Sequence, residues 1–185
     1  MNIRKIKVED ADNLLKMLLE LDKETKFMLL EPGERANDIS KINLLIKKCI
    51  DGSNLLLVGT DDTENIVGFL SAQRGIPKRI KHTAYIVVGI RESFRGIGIG
   101  KKLFSELDIW ARENNITRLE LTVVCHNTVA KHLYERNGFV IEGTKKNSMI
   151  IDGKYVDEYY MAKLYWYVIL GLQGEILLGP KLRWN

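Results

Sequence analysis

The chain has 185 residues, 45% hydrophobic and 28% charged, a balance that predicts one globular domain with its own core rather than a disordered polypeptide. Its 28 basic and 24 acidic residues are interspersed and leave a net charge of +4, which favours small anionic ligands and predicts no nucleic-acid partner. No stretch reaches the ~18 consecutive apolar residues of a membrane span, and "MNIRKIKVEDADN" has no apolar signal core. A cytoplasmic protein without membrane contact is therefore expected, with Cys49 and Cys125 as reduced thiols.

In chain order, "IRKIKV" reads as a strand, and Asp10 is placed to cap a helix whose Ala11, Leu14, Leu15 and Leu18 recur at helical spacing. Pro32 and Gly33 break the pattern in "FMLLEPGERAND", which reads as a loop; Ile39, Ile42, Ile46 and Cys49 then mark a second helix. "NLLLVGT" and "NIVGFLSAQ" flank the polar "DDTE" as a hairpin, and "HTAYIVVGI" supplies a fourth strand. After the glycine-rich "FRGIGIGKK", the stripe Ile99, Leu103, Phe104, Leu107, Trp110 and Ala111 predicts a helix of about four turns. "TRLELTVV" is a fifth strand. Asn127 is placed to cap the short helix "TVAKHLYERN", and Gly138 to close it. "GFVIEGT" and "YVDEYYMAKL" read as strands six and seven, joined through the Asp-Gly turn of "IIDGK".

From Tyr165 the tail is apolar and interrupted by glycine. It is expected to prolong the seventh strand and return as a further one, burying Trp166, Val168, Leu170 and Ile176 to Leu178 against the sheet or against the second subunit of a homodimer.

Alternate glycines at a strand-to-helix junction point to an anion cradle, because glycine accepts positive φ and admits close approach to the main chain. A dinucleotide loop GxGxxG needs glycine where Lys101 stands, and a phosphate loop GxxxxGK[ST] needs glycine at Arg95 and a hydroxyl at Lys102. What remains is R-x-x-G-x-G, met by Arg95, Gly98 and Gly100.

That loop follows the fourth strand, and "NTVAKHLYERNGF" follows the fifth. Together they resemble the Gcn5-related N-acetyltransferase (GNAT) family, whose later motif N-x-x-A-x-x-[LF]-Y-x-x-x-G-F is matched by Asn127, Ala130, Leu133, Tyr134, Gly138 and Phe139. The resemblance covers residues 1 to 164 in element order, the acetyltransferase domain, and leaves 165 to 185 as an extension. It implies a mixed α/β fold in which about four helices flank a mainly antiparallel, centrally splayed sheet of about seven strands.

It also implies transfer of an acetyl group from acetyl-CoA to a primary amine by direct attack. The backbone of Gly96, Gly98, Gly100 and Lys101, with Arg95, would cradle the pyrophosphate, and the main chain of Val88 and Ile90 would take the pantetheine arm, Gly89 permitting a bulge. Asn127 would cap its helix, bind the arm, or both. Tyr134 is the family's general acid toward the departing thiolate, unless it is a buried structural aromatic.

A protonated amine also needs a base. The family's strand glutamate falls here at Ala84 and Thr122, and Glu120 is expected to face away from Thr122. Glu31 and Glu34 in "EPGER", and His82, remain as candidates. Cys125, His126 and His132 lack a fourth ligand, so no metal is expected. The missing glutamate leaves a non-catalytic acyl-CoA-binding sensor as the alternative to an enzyme.

Overall fold

Stripes and alternations in the sequence become a sheet covered by helices on both faces. The structure, a computed structural model, describes residues 1–50 and 54–165, and the backbone of 169–170 and 176–177. Seven strands, β1 (Asn2–Lys5), β2 (Leu55–Thr60), β3 (Ile66–Arg74), β4 (Thr83–Ile90), β5 (Arg118–Val124), β6 (Val140–Ile151) and β7 (Lys154–Leu164), lie in the order β1-β2-β3-β4-β5-β7-β6. Every neighbouring pair is antiparallel except β4 with β5. The helices are α1 (Ala11–Glu24), α2 (Ile39–Ile50), α3 (Ile99–Glu113) and α4 (Thr128–Arg136).

Two cores result, one on each face. α1 and α2 bring Leu14, Leu18, Leu21 and Ile46 against Leu56, Val58 and Phe69. α3 brings Leu103, Phe104 and Leu107 against Leu57, Leu70, Ile86 and Leu121. Because β2 is covered on both sides, all six of its residues are buried, which is why "LLLV" reads as a continuous run rather than an alternation. In α2, Ile42 and Ile46 are buried as the spacing predicts, but Ile39 is exposed and Cys49 half-buried.

Asp10 does not cap α1 through its side chain. A 3-10 turn (Val8–Asp10) comes first, and the carboxylate accepts from Arg4 Nη1 and Nη2 at 2.6 and 2.8 Å and from the Lys7 N–H at 2.8 Å. A guanidinium fork is the stronger partner, and it holds the carboxyl below its ordinary range. Nor does Gly89 mark a bulge against β3, since the register runs unbroken from Gly68/Ile90 to Arg74/Ala84. A Cβ there would lie 2.5 Å from Leu21 and 2.7 Å from Phe69, so glycine lets α1 close on the sheet.

The β6–β7 hairpin turns at Asp152 and Gly153, both at positive φ, as the Asp-Gly pair predicts. β7 ends at Leu164 rather than running on, and Ile169–Leu170 pairs with Ile176–Leu177 as a separate antiparallel ladder. Trp166, Val168 and Leu178, expected to be buried, lie outside the described residues, as do the side chains of Leu170, Ile176 and Leu177.

Candidate active site

The site begins as a gap in the sheet. β4 and β5 pair only at Thr83–Arg118, Ala84–Leu119 and Tyr85–Glu120, and no pair follows toward their C-terminal ends. Which groups face the gap follows from parity. The Gly75 N–H donates to the Thr83 carbonyl and the Arg91 N–H to the Val67 carbonyl, so odd-numbered residues of β4 bond to β3. The N–H and C=O of Ile86, Val88 and Ile90 therefore turn toward β5. At Val88, β5 presents no partner. The Ile90 carbonyl accepts from Arg95 Nε at 3.0 Å, which folds the start of the next loop back onto the strand end.

That loop climbs through a 3-10 turn (Glu92–Phe94) into α3. Gly98 is the residue before the helix, at φ 91°, and Gly96 is at φ 77°; no atom lies within 4 Å of where a Cβ would stand on either. The first N–H groups of α3, where Gly100 and Lys101 sit, have no intrahelical acceptor, and the helix dipole adds positive potential there. Gly100 has a second reason to be glycine, because a Cβ would meet Leu133 of α4 at 3.0 Å. Asn127 accepts from the Ala130 N–H at 3.2 Å and so caps α4.

Tyr134 is 7% exposed and packs edge-on against Phe104 and, more tilted, against Phe139, with centroids 6.0 Å away in both cases. Burial raises its phenol well above the ordinary value, and nearby Tyr85 adds to the rise, so the group is protonated at neutral pH. Thr60 Oγ1 is the fully buried side-chain oxygen without a partner among the described residues.

On the α1 side of the same gap, Tyr85 and Thr122 join hydroxyls across the diverging strands at 3.0 Å. Thr122 Oγ1 donates to Glu158 Oε1 at 2.9 Å, and Ser148 Oγ bonds the other oxygen. Glu158, 8% exposed, is the carboxylate that sequence reading missed. Its signal lies in the register, where Val124 faces Glu158 and Thr122 faces Tyr160. Glu120 shares a face with Thr122, contrary to expectation, as a two-residue period requires, and is held by Arg118 Nε at 2.9 Å. Ala84 points into the α3 core instead.

The three expected base candidates are not brought together. His82 is exposed at the closed end of the gap, where its carbonyl accepts from Thr117 and Arg118. Glu31 and Glu34 are exposed and close a turn on each other, the Glu31 N–H donating to Glu34 Oε2 at 2.8 Å. Their loop is tied down by Asp22–Arg35 at 2.6 Å, by Lys26–Asp152 at 2.6 Å, and by Phe27 set edge-on to His126 at 5.4 Å.

The model of the Acetyltransferase (GNAT) family matches residues 15–139. The chain belongs to this family. It is 33% identical over 135 residues to the L-amino acid N-acetyltransferase AaaT of Escherichia coli, covering 71% of this chain and 74% of that one. It is 29% identical, with a TM-score of 0.85, to a GNAT acetyltransferase of Streptococcus pneumoniae over 89% of this chain and 99% of that one. The Salmonella typhimurium yncA structure, solved with acetyl-CoA, aligns at TM-score 0.79 and 18% identity over 89% of this chain and 93% of that one, a likeness of fold.

As a GNAT enzyme the protein transfers acetyl groups from acetyl-CoA to an amine. Its residues fit that donor. The open, positive-φ glycines before α3 suit a phosphate that must touch backbone, and the main chain of Val88 suits the amides of an extended arm. Among the described residues, no helix is long and apolar enough to cross a membrane.

Proposed function

We propose that this N-acetyltransferase works in the β4–β5 gap on a small acceptor that carries a primary amine beside a carboxylate, an L-amino acid being the first choice. In this reading the backbone of Gly96, Gly98, Gly100 and Lys101, with Arg95, takes the pyrophosphate, the main chain of Val88 and Ile90 takes the arm, and Asn127 caps α4 beside it. Tyr134 protonates the thiolate that leaves. The observation that carries the proposal is the pairing of Glu158, nearly buried, with half-exposed Lys145, whose Nζ lies 3.7 Å from Glu158 Oε2. A carboxylate and an ammonium side by side, linked to the gap through Thr122 and Tyr85, suit a zwitterion, each charge meeting its opposite. The E. coli relative's substrate supports the same class.

Cys49 and Cys125 are free thiols, which supports a reducing, cytoplasmic setting. Thiol release from acetyl-CoA across L-amino acids, polyamines and a peptide amine tests the acceptor. Turnover greatest with free amino acids, and weakened when the carboxylate is amidated, is expected. Equal rates for amino acid and amide, or release with none of the amines, would overturn the acceptor class.

A further inference from the structure

In the run "DEYY" of β7, neighbouring carboxylates leave the strand on opposite faces. Asp157 is matched by ordinary surface partners, Lys146 Nζ at 2.7 Å and the Asn147 N–H at 2.9 Å. Glu158 is not. It is enclosed between β5 and β6, bonded by two hydroxyls, and its ammonium neighbour Lys145 stands off at 3.7 Å and is 48% exposed. A carboxylate withdrawn from water whose one ion-pair partner is distant and half-exposed is costly, and polar groups kept at such a cost concentrate at working sites.

The two hydroxyls also have a direction. Ser148, on the edge strand, leads outward, whereas Thr122 leads from Glu158 to Tyr85, across the point where β4 and β5 part. Thr122 Oγ1 donates to Glu158 and therefore accepts from the Tyr85 hydroxyl, which leaves it one lone pair for a further donor. Tyr85, at the last paired position of β4, brings this chain of hydroxyls to the edge of the gap.

We propose that Glu158 is the proton acceptor for the incoming amine, reached through the Thr122 hydroxyl. The inference rests on the acceptor reading given above. As the amine nitrogen bonds to the acetyl carbon and the carbon–sulfur bond breaks, the ammonium form of the acceptor loses two protons. One passes to Thr122 as the Thr122 proton passes to Glu158, and from there to solvent. The other, lost from nitrogen after the attack, restores the Tyr134 phenol once that group has given its proton to the CoA sulfur. The products are the acetamide, the CoA thiol and one proton released. Among the described residues, Lys145 from β6 faces Glu158 as its ion-pair partner, and Tyr85 from β4 stands one hydroxyl further away, behind Thr122.

The test compares wild type with Glu158→Gln on the best acceptor from the amine screen, with acetyl-CoA, from about pH 6.5 to above the amine's own pKa near 10. At about pH 7, kcat/KM is expected to fall ~10²-fold or more. The deficit closes as pH rises and the amine reaches the enzyme already neutral, while the acetyl-CoA-induced melting shift is unchanged. A deficit of the same size at every pH would make Glu158 structural, and wild-type turnover with no deficit would make it idle; either overturns the proposal. No turnover by wild type with any amine overturns the acceptor reading beneath it. If Glu158→Gln does not fold, Thr122→Val, which keeps the side-chain shape and the carboxylate, carries the same pH-dependent expectation.

Discussion

The Tyr134 phenol is held by the rings of Phe104 and Phe139, and desolvation keeps its proton in place. Burial therefore keeps the phenol protonated at neutral pH, so that its proton is present for a departing thiolate, while making it a weaker acid than an exposed tyrosine. Tyr134→Phe keeps the ring and removes the hydroxyl alone. The expected outcome is kcat lower by about 10²-fold with a nearly unchanged melting temperature, read from steady-state rates and thermal unfolding. An unaltered kcat would leave the hydroxyl without a part in the reaction. This tyrosine was legible because a motif surrounds it. Glu158 was not, because Asp157 and Glu158 are chemically alike and only the β5–β7 register decides which of them turns inward. His82, Glu31 and Glu34 stood out in the sequence as isolated polar residues; in the structure all three are exposed, and the Glu34 carboxylate closes a turn on the Glu31 N–H.

Among the elements, α3 was the most legible, since every residue of its expected stripe is buried. β6 was the least, running to Ile151 through "KKNS" because an edge strand exposes both polar faces and leaves no apolar alternation to read. The junction between β4 and α3 combines both situations. Its glycines announce a loop that approaches a ligand, while the strand before it, "TAYIVVGI", looks like any core strand. At Gly98 a branched side chain would have to adopt a φ of 91° and would fill the open side of the loop. Gly98→Val is therefore expected to raise the KM for acetyl-CoA at least tenfold, with a smaller change in the KM for the amine, as measured by varying each substrate in turn. Equal effects on both constants would place the damage in the fold rather than in the cradle.

At the scale of the molecule, residues 1–164 contain the whole seven-stranded sheet and the buried residues of both cores, Tyr165 packs against the α3-side core, and we propose that the rest of 165–185 is an added contact, the better candidate being a second subunit. Truncation after Leu164 is expected to leave a folded acetyltransferase that sediments as a smaller species. An unchanged oligomeric state with a lower melting temperature would instead assign the segment to its own domain, and no change in either would defeat the idea of a contact. Element order was legible across this whole region because strands, stripes and turn residues agree. The reach of the gap was not, since unpairing of β4 from β5 comes from how whole strands diverge and leaves no mark on any one residue.

The unpaired length of β4 has a consequence for how its sequence can vary. If the donor lies along β4 as a substitute strand, it is recognised through amide and carbonyl groups that every residue type except proline provides alike. The side chains of Ile86 and Val88 are then free to answer to the α3 core, where both pack. Substitutions among aliphatic residues there would drift without loss of the donor, whereas proline at Val88 would delete the one donor group this position offers. A strand at the centre of the sheet thus tolerates change as an edge strand does, although it is enclosed as a core strand is.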